Sequence, residues 1–254
     1  KTDAIIAISP IQKDELCNIH KIAPEEKFRI IPLGFDLNRF QENLQEKRKI
    51  FRTRYNLKDD DIVISSVGRL VPIKNHPLFI KSIAKVKEKT NKNVKAMIVG
   101  DGALRKEFVE LAHSLNLNVS TPEKTEPNPD IIFTSWIEDA DIVFAGSEIA
   151  ALSSFNEGTP VSLIEAQASS IPVISTDVGG VKDIIIEGKT GLLCKNDDVD
   201  DYAEKLLILI ENDKLREEMS LKGWEFVKNK FHYSRLVNDV KLLYDELLKN
   251  SQIK

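Results

Sequence analysis

The stretch Leu152-Ser153-Ser154-Phe155-Asn156-Glu157-Gly158-Thr159-Pro160-Val161-Ser162-Leu163-Ile164-Glu165 decides how the rest of the chain is read. An apolar strand, expected over Glu148 to Leu152, ends here; a polar turn follows and a buried helix begins. A hydroxyl at Thr159 and a proline at 160 match the preferred order for a helix N-terminus, which makes Thr159 the expected cap. Behind Pro160 the backbone N–H groups of Val161, Ser162 and Leu163 have no intrahelical acceptor, and the helix dipole adds positive charge at the same end. Such a helix tip favours an anion. Two carboxylates frame it, Glu157 ahead of the helix and Glu165 more than a turn inside it, so they would touch different parts of one ligand. The plainer alternative is a core helix with two solvated glutamates.

The same order of strand, loop and helix recurs on both sides. Upstream, a strand over Ile62 to Val67 leads through Gly68-Arg69-Leu70-Val71-Pro72-Ile73-Lys74 into a helix from Pro77 to about Glu88. A second unit runs from Val94 to Val99 through Gly100-Asp101-Gly102 into a helix from Ala103 to about Leu115. Val119 to Asp130 carries Pro122, Pro127 and Pro129, and reads as an exposed, mobile connection without regular structure. A strand from Ile131, a short helix over Ala140 to Ala145, a strand over Pro172 to Ser175 and another over Gly191 to Cys194 complete the alternation. Three apolar-striped helices close the chain. Alternation of this kind requires a mostly parallel sheet with helices on both faces, an α/β Rossmann-like arrangement that binds ligands at the carboxyl ends of its strands. Gly68-Arg69, Gly100-Asp101-Gly102, Trp136-Ile137, Glu157-Gly158 and Gly179-Gly180 all fall at those ends.

Composition narrows the classes. With 254 residues, 42% of them hydrophobic, the chain can bury a sizeable core, and a net charge of −4 from 36 basic and 40 acidic residues gives no excess for nucleic acid. The basic run Arg48, Lys49, Arg52 and Arg54 has Glu42 and Glu46 beside it and reads as a solvated helix face. Cys17 and Cys194 lack metal-ligand spacing and read as free thiols of a reducing compartment. No apolar run reaches the roughly 18 residues of a membrane span, and Lys1-Thr2-Asp3 does not open a signal peptide, so the expected location is the cytoplasm.

Among motifs, the exclusions matter as much as the matches. A Walker loop is absent, Gly100-Asp101-Gly102 is too short for a dinucleotide fingerprint, and His20, His76, His113 and His232 share no metal or triad spacing. His76 reads as part of a helix start. Arg69 and Lys74 lie together in one strand-end loop, where two fixed cations can neutralise a diphosphate beside the helix at Thr159. Either side chain could instead pair with a surface carboxylate. Trp136 could lie by a nucleotide base or simply be core.

Taken together, Ile30-Ile31-Pro32-Leu33-Gly34-Phe35-Asp36, Val67-Gly68-Arg69-Leu70 with Lys74, Val99-Gly100-Asp101-Gly102, the two-glutamate signature Glu157 to Glu165, and Thr176-Asp177-Val178-Gly179-Gly180 resemble the family 4 retaining glycosyltransferases of the GT-B fold. The resemblance runs from Ala4 to the final helix. It implies that Glu157 holds hydroxyls of a donor sugar and Glu165 the ribose hydroxyls. Arg69, Lys74 and the amides near Val161 and Ser162 would hold the diphosphate, Gly158 and Thr159 would belong to the same donor-binding site, and the Ile137 backbone would meet the base. The implied reaction is transfer from a nucleotide-diphosphate sugar, by preference a UDP-sugar, with retention, without a metal or other cofactor, through stabilisation of charge on the leaving group. Residues 1–40 would be a remnant of the acceptor domain and linker, 41–233 the donor-binding Rossmann-like domain and 234–254 a crossover helix. On that division the chain binds donor but transfers nothing alone. Its acceptor, a glycan or a lipid-linked one, is unreadable, and membrane association at the inner face would come through the missing domain. Competing readings are a GT-B epimerase or phosphorylase, which would place histidines or a cofactor lysine in the cleft, and a nucleotide-sugar-binding module that only recognises its ligand.

Overall fold

Strand runs without polar alternation, such as Ile62 to Val67, are buried on both faces, and the chain satisfies them with helices on each side. A computed structural model describes residues 2–252; Lys1, Ile253 and Lys254, at the ends of the expected first and last segments, lie outside the described residues. In chain order the elements are β1 (Ile5–Ala7), α1 (Pro10–Asp14, continued by a π-helical turn Glu15–Ile19), β2 (Phe28–Ile30), α2 (Leu44–Arg54), β3 (Ile62–Val67), α3 (His76–Lys89), β4 (Val94–Val99), α4 (Arg105–Ser114), β5 (Val119–Ser120), β6 (Ile131–Ser135), α5 (Ala140–Ala145), β7 (Ile149–Leu152), α6 (Val161–Ala168), β8 (Val173–Thr176), β9 (Gly191–Cys194), α7 (Val199–Glu211), α8 (Asp213–Phe231) and α9 (Tyr233–Gln252).

Two compact units result. The smaller comprises the chain up to Leu37 together with the chain from Glu225 onward. In it β1 and β2 pair in parallel, and Ser9 caps α1 by accepting the Gln12 amide, with Pro10 in the first turn. The turn at Leu33-Gly34-Phe35 is bound to the junction of α8 and α9. The Phe35 amide donates to Phe231 O at 2.8 Å, and Arg235 donates to the carbonyls of Pro32 (2.7 Å) and Leu33 (2.6 Å). Helix α9 shows Val237, Leu242, Tyr244 and Leu248 exposed within this unit.

The larger unit, Asn38 to Trp224, is built on a seven-stranded sheet in the order β5-β6-β4-β3-β7-β8-β9, with every pairing parallel. Ile62 and Ile64 face a core shared with Phe79, Ile83, Phe108 and Leu206, which brings α3, α4 and α7 to one side. Val63, between them, faces Phe51 of α2 and Val143 of α5 on the other. Period-2 alternation thus divides one apolar run between two cores.

Two sequence expectations require correction. Val119 and Ser120 form the short edge strand β5, paired to Ile131 and Ile132, because they precede the first proline and keep their backbone donors. The loop that follows is tied down by Lys95, a buried residue of β4 whose Nζ donates to Asn128 Oδ1 (2.7 Å) and Pro129 O (2.8 Å). In addition, Arg52 is not on a solvated face: it is buried against Glu148, which it meets at 2.6 Å. Among the described residues no helix is long and apolar enough to cross a membrane.

Candidate functional site

Strand order places the site before any side chain is considered. β3 and β7 are parallel neighbours, yet after β3 the chain continues to β4 on one side and after β7 to β8 on the other. Their carboxyl ends therefore diverge around a crevice, the usual ligand position in open α/β sheets. Arg69 and Lys74 lie in the loop after β3, and Glu157 to Thr159 in the loop after β7.

The two loops are bonded to each other. Lys74 Nζ meets Glu157 Oε1 at 2.6 Å, Ser153 Oγ donates to Lys74 O (3.1 Å), and the Phe155 amide donates to Ile73 O (2.9 Å). The loop after β8 closes the other flank, where the Gly180 amide donates to Glu157 O at 2.9 Å. A Cβ at Gly180 would run into the carbonyl oxygen of Gly158, so only glycine allows this approach. On the β4 side the Leu70 amide donates to Asp101 O at 2.9 Å. Gly100, at φ +146°, has no room for a side chain beside Gly68 O.

Arg69 is exposed and, among the described residues, has no ion-pair partner. Its backbone carbonyl accepts from His76 Nε2 at 3.2 Å. Burial pushes the His76 imidazole down to about 4, against the opposing effect of that hydrogen bond, so it is neutral near pH 7. His76 is the first residue of α3, as its place in the sequence implied, but its hold on the Arg69 loop had no signal in spacing or type.

At α6 the expected cap is corrected. Pro160 occupies the cap position with extended backbone, and among the described residues no side chain caps the helix, Thr159 included. The Leu163 amide is already bonded to Pro160 O (3.1 Å), which removes it from the free set, whereas the amides of Val161 and Ser162 have no acceptor among the described residues. Thr159, Val161 and Ser162 are half-buried at this tip, and Gly158 is exposed.

Glu165, half-buried on α6, is pushed up to about 7 by desolvation, with Arg39 opposing the shift and Asp141 adding to it. Arg39 itself is held by Asp141 at 2.5 Å and Asp139 at 3.2 Å, and Lys47 meets the other Asp141 oxygen at 2.8 Å. Neither Arg39 nor Asp141 was legible as part of the site, because the contact spans about a hundred residues of chain. Ile137 lies on the same rim in the loop after β6, half-buried against the core cluster around Phe51 and Met97, beside an exposed Trp136. Lys74, Glu157 and Gly158 are thus joined through direct bonds between their loops, Arg69 is held through His76, and Ile137 and Glu165 share the rim without a direct bond to them.

Comparison with known proteins bears on this geometry. The model of the glycosyl transferases group 1 family matches residues 47–225, more than half of the chain. The chain belongs to that family. It is 28% identical over 251 residues to the capsular polysaccharide biosynthesis glycosyltransferase CapM of Staphylococcus aureus, covering 98% of this chain and 63% of the relative. It is also 28% identical to a UDP-Gal:alpha-D-GlcNAc-diphosphoundecaprenol alpha-1,3-galactosyltransferase of Escherichia coli, over 93% of this chain and 58% of that protein. Among solved structures, Anabaena HepE in complex with UDP and glucose superposes with a TM-score of 0.80 at 18% identity, over 96% of this chain and 63% of its own. The fold is the Rossmann-like α/β fold of GT-B glycosyltransferases, and the chain spans about three fifths of the length of these relatives.

Proposed function

We propose that this chain binds a nucleotide-diphosphate sugar, a UDP-sugar by preference, at the β3–β7 crevice, and that the whole protein transfers the sugar with retention and without a metal. The observation that carries the reading is the presence, on the loops around one switch point, of a lysine together with an arginine that has no ion-pair partner and two helix amides that have no acceptor among the described residues. Arg69, Lys74 and the amides of Val161 and Ser162 bind the diphosphate and stabilise the charge that builds on it as the glycosidic bond breaks. Glu165 takes the ribose hydroxyls as a carboxylate, so its raised pKa couples nucleotide binding to proton release at mildly acidic pH. The Ile137 backbone meets the base. Glu157 receives the donor sugar; its ion pair with Lys74 lowers its nucleophilicity, and a covalent role is not assigned to it.

UDP is preferred because the E. coli relative is named for a UDP-galactose donor and HepE was solved with UDP. The acceptor, a glycan or a lipid-linked one, is engaged by parts of the relatives that this chain does not span. The test is calorimetric titration with UDP, GDP, ADP and uridine in the presence of EDTA. The expected result is UDP bound well above uridine and undiminished by the chelator. Equal affinity for UDP and uridine removes the diphosphate assignment, and measured sugar transfer by this chain alone removes the division of labour.

A further inference from the structure

Ser154 has no exposed surface, and its hydroxyl donates to Glu157 Oε1 at 2.5 Å. The hydroxyl is aimed from the sheet: Thr176 Oγ1, at the end of β8 and equally buried, donates to Ser154 O at 2.6 Å. Lys74 Nζ reaches the same Glu157 oxygen at 2.6 Å, and its own backbone carbonyl is held by the neighbouring Ser153 hydroxyl at 3.1 Å. Both protein donors therefore converge on Oε1, and no described residue donates to Oε2. The Glu157 side chain is only 11% exposed, so the remaining oxygen has a narrow outlook.

We propose that Ser154 is a positioning residue for donor recognition. With Lys74 it occupies Oε1 and fixes the carboxylate plane, leaving Oε2 to read a hydroxyl of the transferred sugar. An ionised carboxylate oxygen only accepts, so it rewards a hydroxyl and leaves an unpaired charge against a deoxy or alkylated position. The ligand class is a hexosyl nucleotide with a free hydroxyl facing that oxygen. This rests on the nucleotide-sugar reading above and adds to it a residue that touches neither nucleotide nor sugar.

The experiment measures the affinities of UDP, UDP-glucose, UDP-galactose and UDP-N-acetylglucosamine for the full chain, for Ser154→Ala and for Ser154→Thr, by calorimetry. In the parent chain at least one sugar nucleotide binds more tightly than UDP. In Ser154→Ala that gain falls by about tenfold or more while the UDP affinity stays within about twofold, because only a charge-assisted acceptor has lost its orientation. Ser154→Thr, which keeps the hydroxyl, restores the gain. An undiminished gain in Ser154→Ala overturns the proposal, and so does an equal loss of UDP and UDP-sugar affinity, which marks a purely structural serine. Absence of any sugar gain in the parent chain overturns the role of Oε2 while leaving the nucleotide site standing. Absence of UDP binding overturns both.

Discussion

Both ends of the large sheet bury a glutamate against a cation, and they differ in what is left over. At the amino end, Glu148 accepts from Arg48 (2.6 Å), from Arg52 on both oxygens (2.8 and 2.6 Å) and from the Val63 amide (2.8 Å), so each oxygen has two donors. Arg52 in turn donates to Asp61 O and Lys58 O. At the carboxyl end, among the described residues, Glu157 has two donors on one oxygen and none on the other, Arg69 has no ion-pair partner, and the amides of Val161 and Ser162 lack acceptors. In the first network both carboxylate oxygens are filled from within the chain, although Arg52 Nε stays buried without a partner among the described residues, and the bonds tie α2 to the start of β7. The second leaves donors and an acceptor unused on the loops that follow β3 and β7, and unused bonding capacity is what a ligand can satisfy.

The contrast can be broken at either end. The largest effect is expected from Glu148→Ala, which leaves the buried Arg52 guanidinium without its counter-charge; denaturant unfolding should show a loss of about 3–5 kcal/mol with UDP affinity of the folded protein unchanged. Gly180→Ala comes next, since the new Cβ must displace the Glu157–Gly158 turn. A loss of about 2–3 kcal/mol in stability together with weakened UDP binding is expected, and an unaltered variant would show that the turn is not held by that approach.

Arg69→Ala tests the open network directly. UDP affinity is expected to fall about 10- to 100-fold with uridine affinity unchanged, and stability to stay within about 0.5 kcal/mol because the side chain is exposed. The smallest effect concerns Glu165. Its folded-state pKa near 7 lies above the unfolded value, so the stability it contributes is complete below about pH 4.5 and is lost as pH rises toward 7. Glu165→Gln removes that dependence. The variant should match the parent at pH 4.5 and exceed it by about 1–2 kcal/mol at pH 8 in thermal or denaturant melts, a modest figure because solvent reaches this half-buried carboxyl. A gap that is constant with pH would sink the assignment of that titration to Glu165.

Sequence alone determined the alternation of strands and helices, the parallel sheet, and the rim on which Arg69, Lys74, Glu157, Glu165 and Ile137 lie. These follow from apolar periodicity and from loops that must emerge at strand ends, which are local properties of the chain. It misjudged Thr159 as a cap, because a hydroxyl before proline is only a propensity and the turn set Pro160 at that position instead. It also could not see that Lys74 and Ser154 share one oxygen of Glu157, that His76 holds the Arg69 loop, that the charges of Arg39 and Asp141 act on Glu165, or that Arg52 is sealed against Glu148. Most of those relations join residues far apart in the chain, and all depend on side-chain direction, burial and the leftover valence of each polar atom, which exist only once the strands have been ordered and the loops packed.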